Sequence, residues 1–123
     1  MNIANAIRSS REPSVAVGRL DGLRSFGFTS DELYRLVAPR RTLARRKENL
    51  EPLSPLESDR VLRLERFVEH ADRVFGSHDK AMLWLRSEII ALDGMRPIEL
   101  LESEAGANAV YEILVRIDYG IFS

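Results

Sequence analysis

The chain has 123 residues, a formal net charge of -1 and no cysteine. Disulfides and thiolate metal sites are therefore excluded, and no stretch approaches the roughly 20 apolar residues of a membrane span. Because the N-terminus lacks an apolar segment long enough for a signal peptide, we expect a cytoplasmic protein with no membrane association.

Charge is distributed unevenly along the chain. Residues 1–50 contain 10 Lys and Arg against 5 Asp and Glu, a balance of +5, whereas residues 51–123 contain 8 against 14, a balance of -6. A basic first half and an acidic second half suggest two functions, one of which faces a polyanion. Such asymmetry is also common in small proteins, so it does not identify a partner by itself.

The first half predicts a leader and two short helices. Residues 1–13 are polar and show no helical period. Apolar residues from Val15 to Phe26 recur at helical spacings, and Gly27 is a natural stop. The next segment, TSDELYRLVA, offers Thr29 or Ser30 as an N-terminal cap, and its acidic first turn suits the helix dipole.

Residues 39–50, PRRTLARRKENL, are strongly basic. Pro39 favours a new helix, in which Leu43 faces the core and the arginines project outward. Three interpretations remain open: the recognition helix of a helix-turn-helix, a contact with an acidic protein, or a basic linker. The first predicts DNA contacts through Arg40, Arg41, Thr42, Arg45, Arg46 and Lys47, because arginine binds guanine and phosphate and threonine contacts base edges.

The second half contains the clearest helix signals. Ser54 and Glu57 form a capping box, Pro55 suits the first helical position, and Gly76 suits the residue after the last turn, so we expect a helix over 55–75. Further helices are predicted over 78–86, after Pro97 and over 104–119, separated by a turn at residues 93–94. Trp84 is assigned to the core of this half. No segment shows sustained period-two alternation, so the fold is predicted to be all-α.

No arrangement of residues predicts catalysis. His70 and His78 are too poorly spaced to share a helix face as metal ligands, and Ser77-His78-Asp79 cannot converge as a triad. No phosphate-binding glycine motif is present. We therefore predict a protein that is not an enzyme, with no cofactor, no metal site and no small-molecule substrate.

A set of positions in the second half matches the pattern of one known family: Ser54, Glu57, Ser58, Arg63, Ala71, Phe75, Gly76, Ala81, Trp84, Leu85, Leu92, Gly94, Pro97, Leu100, Leu101, Gly106, Val110, Leu114, Arg116 and Gly120. With these positions the chain resembles, over about residues 40–123, the toxin-binding domain of Xre/MbcA/ParS-type antitoxins. These antitoxins belong to type II systems whose toxins carry a RES domain. The PRRTLARR segment is similar to the last helix of these antitoxins' helix-turn-helix, although residues 1–28 match less well and the N-terminal part is shorter than a five-helix Xre domain.

This resemblance implies residues 1–52 as a leader and DNA-binding region and residues 53–123 as a toxin-binding domain. It implies an antitoxin that blocks the active site of an NAD-consuming RES-domain toxin, which hydrolyses or phosphorolyses NAD or ADP-ribosylates a target, and that represses its own operon. Toxin contacts are expected at Arg116, Tyr119, Gly120, Ile121 and Phe122.

Two alternatives stay open at this point. Phe122 either enters a partner's pocket or folds back onto its own helices. The whole chain could instead be a small helix-turn-helix transcription regulator without a toxin partner. Because operator symmetry usually mirrors a protein dimer, we expect a homodimer, formed through the N-terminal region.

Overall fold

The computed structural model describes residues 14–120, and within that range the chain is helical with no strand. In chain order the helices are α1 (Leu20–Phe26), α2 (Ser30–Leu36), α3 (Arg40–Glu48), α4 (Pro55–Phe75), α5 (His78–Leu85), α6 (Pro97–Leu100) and α7 (Glu104–Asp118), with single 3-10 turns at Val17–Arg19 and Ile90–Leu92. The all-α prediction is confirmed. The predicted leader, residues 1–13, lies outside the described residues.

Helices α2 and α3 form a helix-turn-helix. Thr29 begins α2 with a capping box, in which its hydroxyl accepts a hydrogen bond from the backbone N–H of Glu32 and the Glu32 carboxylate accepts one from the N–H of Thr29. Residues 37–39 separate the two helices, which is the turn length typical of this motif. Val37 and Ala38 are buried in that turn, and Pro39 precedes the first residue of α3. The turn between the two helices is therefore itself part of the core.

Helix α4 has the predicted limits because both of its ends carry local signals. Ser54 and Glu57 form the reciprocal capping box, and Gly76 adopts the left-handed conformation with φ 76°. One face of α4 is fully buried, with Val61, Leu64, Phe67 and Ala71 in the core. This helix packs against α1 and also against α5 and α7. It is therefore shared between the two halves of the chain.

A short backbone crossing ties the segment before α1 to the start of α4. The N–H of Leu53 donates to the carbonyl of Val15 at 2.8 Å. The N–H of Val15 in turn donates to the buried hydroxyl of Ser58 at 3.1 Å. These bonds satisfy buried polar groups that would otherwise destabilise the fold. They explain why a serine is buried on the core side of α4.

The C-terminal helices follow the prediction with small changes. The predicted turn is present, with Asp93 and Gly94 both at positive φ, and α5 and α7 each end one residue earlier than predicted. Trp84 is half-buried, not a full core residue, and its ring lies 5.4 Å from that of Phe75. On α7, Ile113 is buried.

The buried side chains of residues 14–120 form one continuous cluster that runs from Val15 to Leu114. The cluster shows no break after residue 52, because α4 contributes side chains to both of its ends. The domain boundary expected there from the sequence therefore stays a prediction. Among the described residues, none of the helices is long and apolar enough to cross a membrane.

Candidate functional site

The basic segment forms a helix with one buried and one exposed face. Leu43 is only 5% exposed and anchors α3 in the core, as predicted. Arg40, Arg41, Arg45 and Lys47 are exposed, whereas Thr42 is half-buried. Within residues 14–120 none of these four cations takes part in an ion pair. A helix that presents several unpaired cations to solvent is suited to bind phosphates.

Arg46 departs from the expectation that all the arginines of α3 project outward. Its guanidinium donates to both oxygens of Glu57, from Nε to Oε1 at 2.6 Å and from Nη2 to Oε2 at 3.0 Å. It also contacts Glu51 at 3.3 Å. A bidentate arginine–carboxylate pair is among the stronger polar contacts in proteins. The outward prediction is therefore wrong for Arg46, which fastens α3 to the first turn of α4.

Glu57 is the acceptor at the centre of this contact. Burial acts to raise the pKa of its carboxyl, but the hydrogen bonds from Arg46 and from the N–H of Ser54 outweigh burial and hold the pKa below its ordinary value. The same side chain closes the capping box of α4, at 2.9 Å from the Ser54 nitrogen. Sequence reasoning identified the capping box but missed Arg46 as its second partner.

The end of α7 forms the second candidate surface. Asp118, in the last turn, accepts a hydrogen bond from Arg73 of α4 at 3.0 Å, so the final turn is held against the long helix. Val115 and Tyr119, four residues apart on one face, are 38% and 78% exposed. Gly120 follows with φ 69°. An exposed apolar ridge is therefore presented at the end of α7.

The predicted toxin-contact residues lie on or beyond this ridge. Arg116 is exposed and donates to Glu112 at 2.6 Å, in an ion pair one turn apart. Tyr119 and Gly120 are exposed at the end of the described range. Ile121 and Phe122 lie outside the described residues. Val115 was not predicted, although its spacing of four from Tyr119 would have indicated it.

A groove of about 710 Å³ runs between α4 and α7 and was not predicted from the sequence. Arginine and carboxylate side chains of α4 line one side of it, and Glu104 and Tyr111 of α7 line the other. The Tyr111 hydroxyl is buried without a hydrogen-bond partner among the described residues, and burial raises its pKa. Its ring lies 5.8 Å from that of His70, whose Nε2 is also buried and unpartnered there. Residues 14–120 contain no group of three potential metal-ligating side chains.

Two family models match the chain in succession. Residues 13–66 match the antitoxin Xre-like helix-turn-helix domain. Residues 70–120 match the antitoxin Xre/MbcA/ParS C-terminal toxin-binding domain. The first match therefore covers the helix-turn-helix and continues into the first half of α4.

Three relatives, each named Antitoxin Xre, extend the comparison. The proteins from Yersinia enterocolitica and Pseudomonas putida are each 36% identical, over 69% and 68% of this chain. The chain spans little more than half of each of them, 58% and 53%. The protein from Photorhabdus laumondii is 31% identical over 97% of this chain and 80% of its own length. On this near-complete match, the chain belongs to the Xre/MbcA/ParS antitoxin family.

Proposed function

We propose that this protein neutralises a toxin by covering the toxin's active site with the end of α7 and the residues that follow it. The observation that carries the proposal is the exposed ridge of Val115 and Tyr119 on a helix end held by the Arg73–Asp118 contact. Aromatic anchors on a rigid element are typical of the centres of protein interfaces. The match of residues 70–120 to a toxin-binding domain supports toxin binding by the region that contains α7.

The toxin class proposed is the NAD-consuming RES-domain class that the sequence resemblance implies. A blocked active site is tested by measuring NAD consumption by the purified toxin with increasing amounts of this protein. We expect complete inhibition by the full chain at equimolar amounts and weakened inhibition after deletion of residues 120–123. If the deleted protein inhibits as well as the full chain, the tail does not block the active site.

A point variant separates the ridge from the tail. Tyr119→Ala removes the large exposed ring from the end of α7, and loss of such an anchor typically costs about 2 kcal/mol or more of binding free energy. Leu83→Ala on α5 is the matched control, because Leu83 is 71% exposed but lies on another helix. We expect a weaker toxin complex for the first variant and an unchanged complex for the second, measured by calorimetry. Equal affinities for both variants would exclude the ridge as an anchor.

The second part of the proposal is autorepression through α3. Four exposed cations project from α3, which follows a three-residue turn. Residues 13–66, which include α3, match a helix-turn-helix domain. Arg46 is left out of this surface because Glu57 and Glu51 hold it. Arg40, Arg41, Arg45 and Lys47 are proposed to contact operator phosphates and bases, with Thr42 beside them.

The salt dependence of DNA binding tests this part. The probe is a duplex taken from the region upstream of the protein's own gene. Arg41→Ala and Arg45→Ala should each remove one phosphate interaction and thereby reduce the log–log salt slope by about 1. Arg96→Ala is the control, since Arg96 is an exposed arginine outside the helix-turn-helix that pairs with Glu99. An unchanged slope in both α3 variants would contradict the proposed interaction with DNA.

The alternative is a transcription regulator of the same fold without a toxin partner. The helix-turn-helix motif is as consistent with such a regulator as it is with an antitoxin that represses its own operon. The neighbouring reading frame and the NAD-consumption assay distinguish the two functions. A regulator without a partner would bind DNA normally and would leave the activity of any neighbouring gene product unchanged.

A further inference from the structure

One side of α5 contacts the turn between α1 and α2. His78, Met82 and Arg86 are spaced four apart, so they lie on one side of the helix, with Arg86 as its C-terminal cap. The His78 ring lies 4.6 Å from that of Phe26. At Gly27 an added Cβ would meet Cγ of Met82 at 2.6 Å, so only a glycine fits there. The turn that leads into the helix-turn-helix therefore lies directly against the region that matches a toxin-binding domain.

Arg86 adds polar bonds to this contact. Its Nη2 donates to the carbonyl of Gly27 at 2.7 Å. The guanidinium also donates to both carboxylate oxygens of Glu32, from Nε to Oε2 at 3.0 Å and from Nη2 to Oε1 at 2.8 Å. Bidentate pairs of this kind are stronger and more specific in geometry than neutral hydrogen bonds. Arg86 thus holds both the turn before α2 and the first turn of α2.

Glu32 is also the residue that closes the capping box of α2. Its Oε1 accepts a hydrogen bond from the N–H of Thr29 at 2.8 Å, so one carboxylate joins the start of α2 to Arg86. Burial acts to raise the pKa of this carboxyl, but the hydrogen bonds from Arg86 and Thr29 outweigh burial and lower it. The carboxylate is therefore charged at neutral pH, as the pair with Arg86 requires.

Two other contacts join the helix-turn-helix to later helices. Arg60 of α4 donates to the carbonyl of Val37, in the turn between α2 and α3, at 3.0 Å. Arg35 of α2 pairs with Glu102, between α6 and α7, at 3.2 Å. Helix α2 is thus held at its start, near its end and in the turn that follows it.

We propose that Arg86 is a positioning residue for the DNA-binding surface of α3. It fixes the orientation of α2, and α2 determines the place of α3 through a turn in which Val37 and Ala38 are buried. A recognition helix must be held at one angle in the major groove, so a small rotation of the pair weakens specific binding. The inference rests on the proposed autorepression, and it makes α5 part of the DNA-binding unit.

The choice of duplex separates this role from two simpler ones. An arginine that touched a phosphate would contribute to binding of any DNA sequence, because phosphate contacts carry no sequence information. A contact that only stabilised the fold would leave the affinity of the folded protein unchanged. A positioning residue acts on the operator alone.

Fluorescence anisotropy with the full-length protein tests the inference. The probes are the duplex from upstream of the protein's own gene and a scrambled duplex of the same length, at a temperature where circular dichroism shows every variant folded. Arg86→Lys keeps the positive charge but loses the bidentate geometry. We expect its affinity for the upstream duplex to fall at least about threefold, with unchanged affinity for the scrambled duplex.

Glu32→Gln gives a second test in which the charge effect has the opposite sign. Glutamine can still close the capping box, and the loss of a negative charge from the DNA-binding half should by itself strengthen binding to any DNA. We expect weaker binding of the upstream duplex instead, because the bidentate pair is lost. Arg73→Ala is the control, because it also breaks an ion pair between two helices, α4 and α7. Its affinity for both duplexes should equal that of the wild type.

Four results would overturn the inference: wild-type affinity for the upstream duplex in Arg86→Lys, an equal loss on both duplexes, tighter binding by Glu32→Gln, or the same loss in Arg73→Ala. Each would leave autorepression standing, since the wild type would still prefer its own upstream sequence. A wild type that binds both duplexes equally would contradict autorepression and this inference together.

Discussion

Gly106 allows a sharp test of how α7 is placed. This residue lies in the first turn of α7, and a Cβ added there would meet the carbonyl oxygen of Leu100 at 2.1 Å and its carbonyl carbon at 2.9 Å. Both are backbone atoms of α6, which cannot move aside as a flexible side chain would. Gly106→Ala should therefore force α6 and α7 apart.

The sign of the effect makes the test decisive. With no clash, replacing a helical glycine by alanine stabilises a protein by about 0.5–1 kcal/mol. Overpacking usually destabilises a protein by about 1–3 kcal/mol. At Gly106 we expect this cost of the clash to be larger than the stabilisation that alanine brings. We therefore expect Gly106→Ala to lower the free energy of unfolding by about 1–2 kcal/mol, measured by urea denaturation.

Gly22→Ala is the matched control for Gly106→Ala. Gly22 lies within α1 and is exposed, and a Cβ added there would meet no atom within 4 Å. It should raise the free energy of unfolding by about 0.5–1 kcal/mol. If both alanine variants stabilised the protein equally, the close approach of α6 to α7 would be refuted.

Two further predictions concern the ends of α3. Glu57→Gln removes the charged partner of Arg46, so the stability of the protein at neutral pH should fall. Because the pKa of Glu57 is lowered in the folded state, the wild type should lose this contribution as the pH falls through that pKa. The stability of the variant, followed in thermal melts, should therefore depend less steeply on acid pH. The exposed Glu48→Gln is its control, and equal acid dependence in both variants would contradict the role of Glu57. Leu50, two residues beyond the end of α3, has a left-handed backbone with φ 55°. Leu50→Gly should therefore raise the free energy of unfolding by about 1 kcal/mol, because that conformation costs a leucine about that much; a decrease would contradict the strain.

The sequence predicted α4 to the residue because the information is local. Ser54 and Glu57 mark its start within one turn, and Gly76 marks its end. The same applies to the buried position of Leu43, which follows from its place between exposed cations on one helix. Signals of this kind depend only on neighbours within a few residues, so they can be recognised without knowledge of the tertiary structure.

The contacts that were missed join residues that are distant in sequence or lack a sequence signature. Arg46 resembles its neighbours in the basic segment, and only the return of the chain eleven residues later brings Glu57 against it. Val115 has the correct helical period, but its exposure depends on which face of α7 packs on α4. Leu50 was hidden for another reason, since the usual marker of a left-handed helix end is glycine and this chain has leucine there.

The long helix determines how far the two proposed functions can influence each other. Its first turn holds α3 through Glu57 and Arg46, and its last turn holds α7 through Arg73 and Asp118. A helix of 21 residues spans about 30 Å, which is several times the screening length of about 8 Å at physiological salt. A toxin bound at the end of α7 would therefore not alter DNA binding through its charge alone.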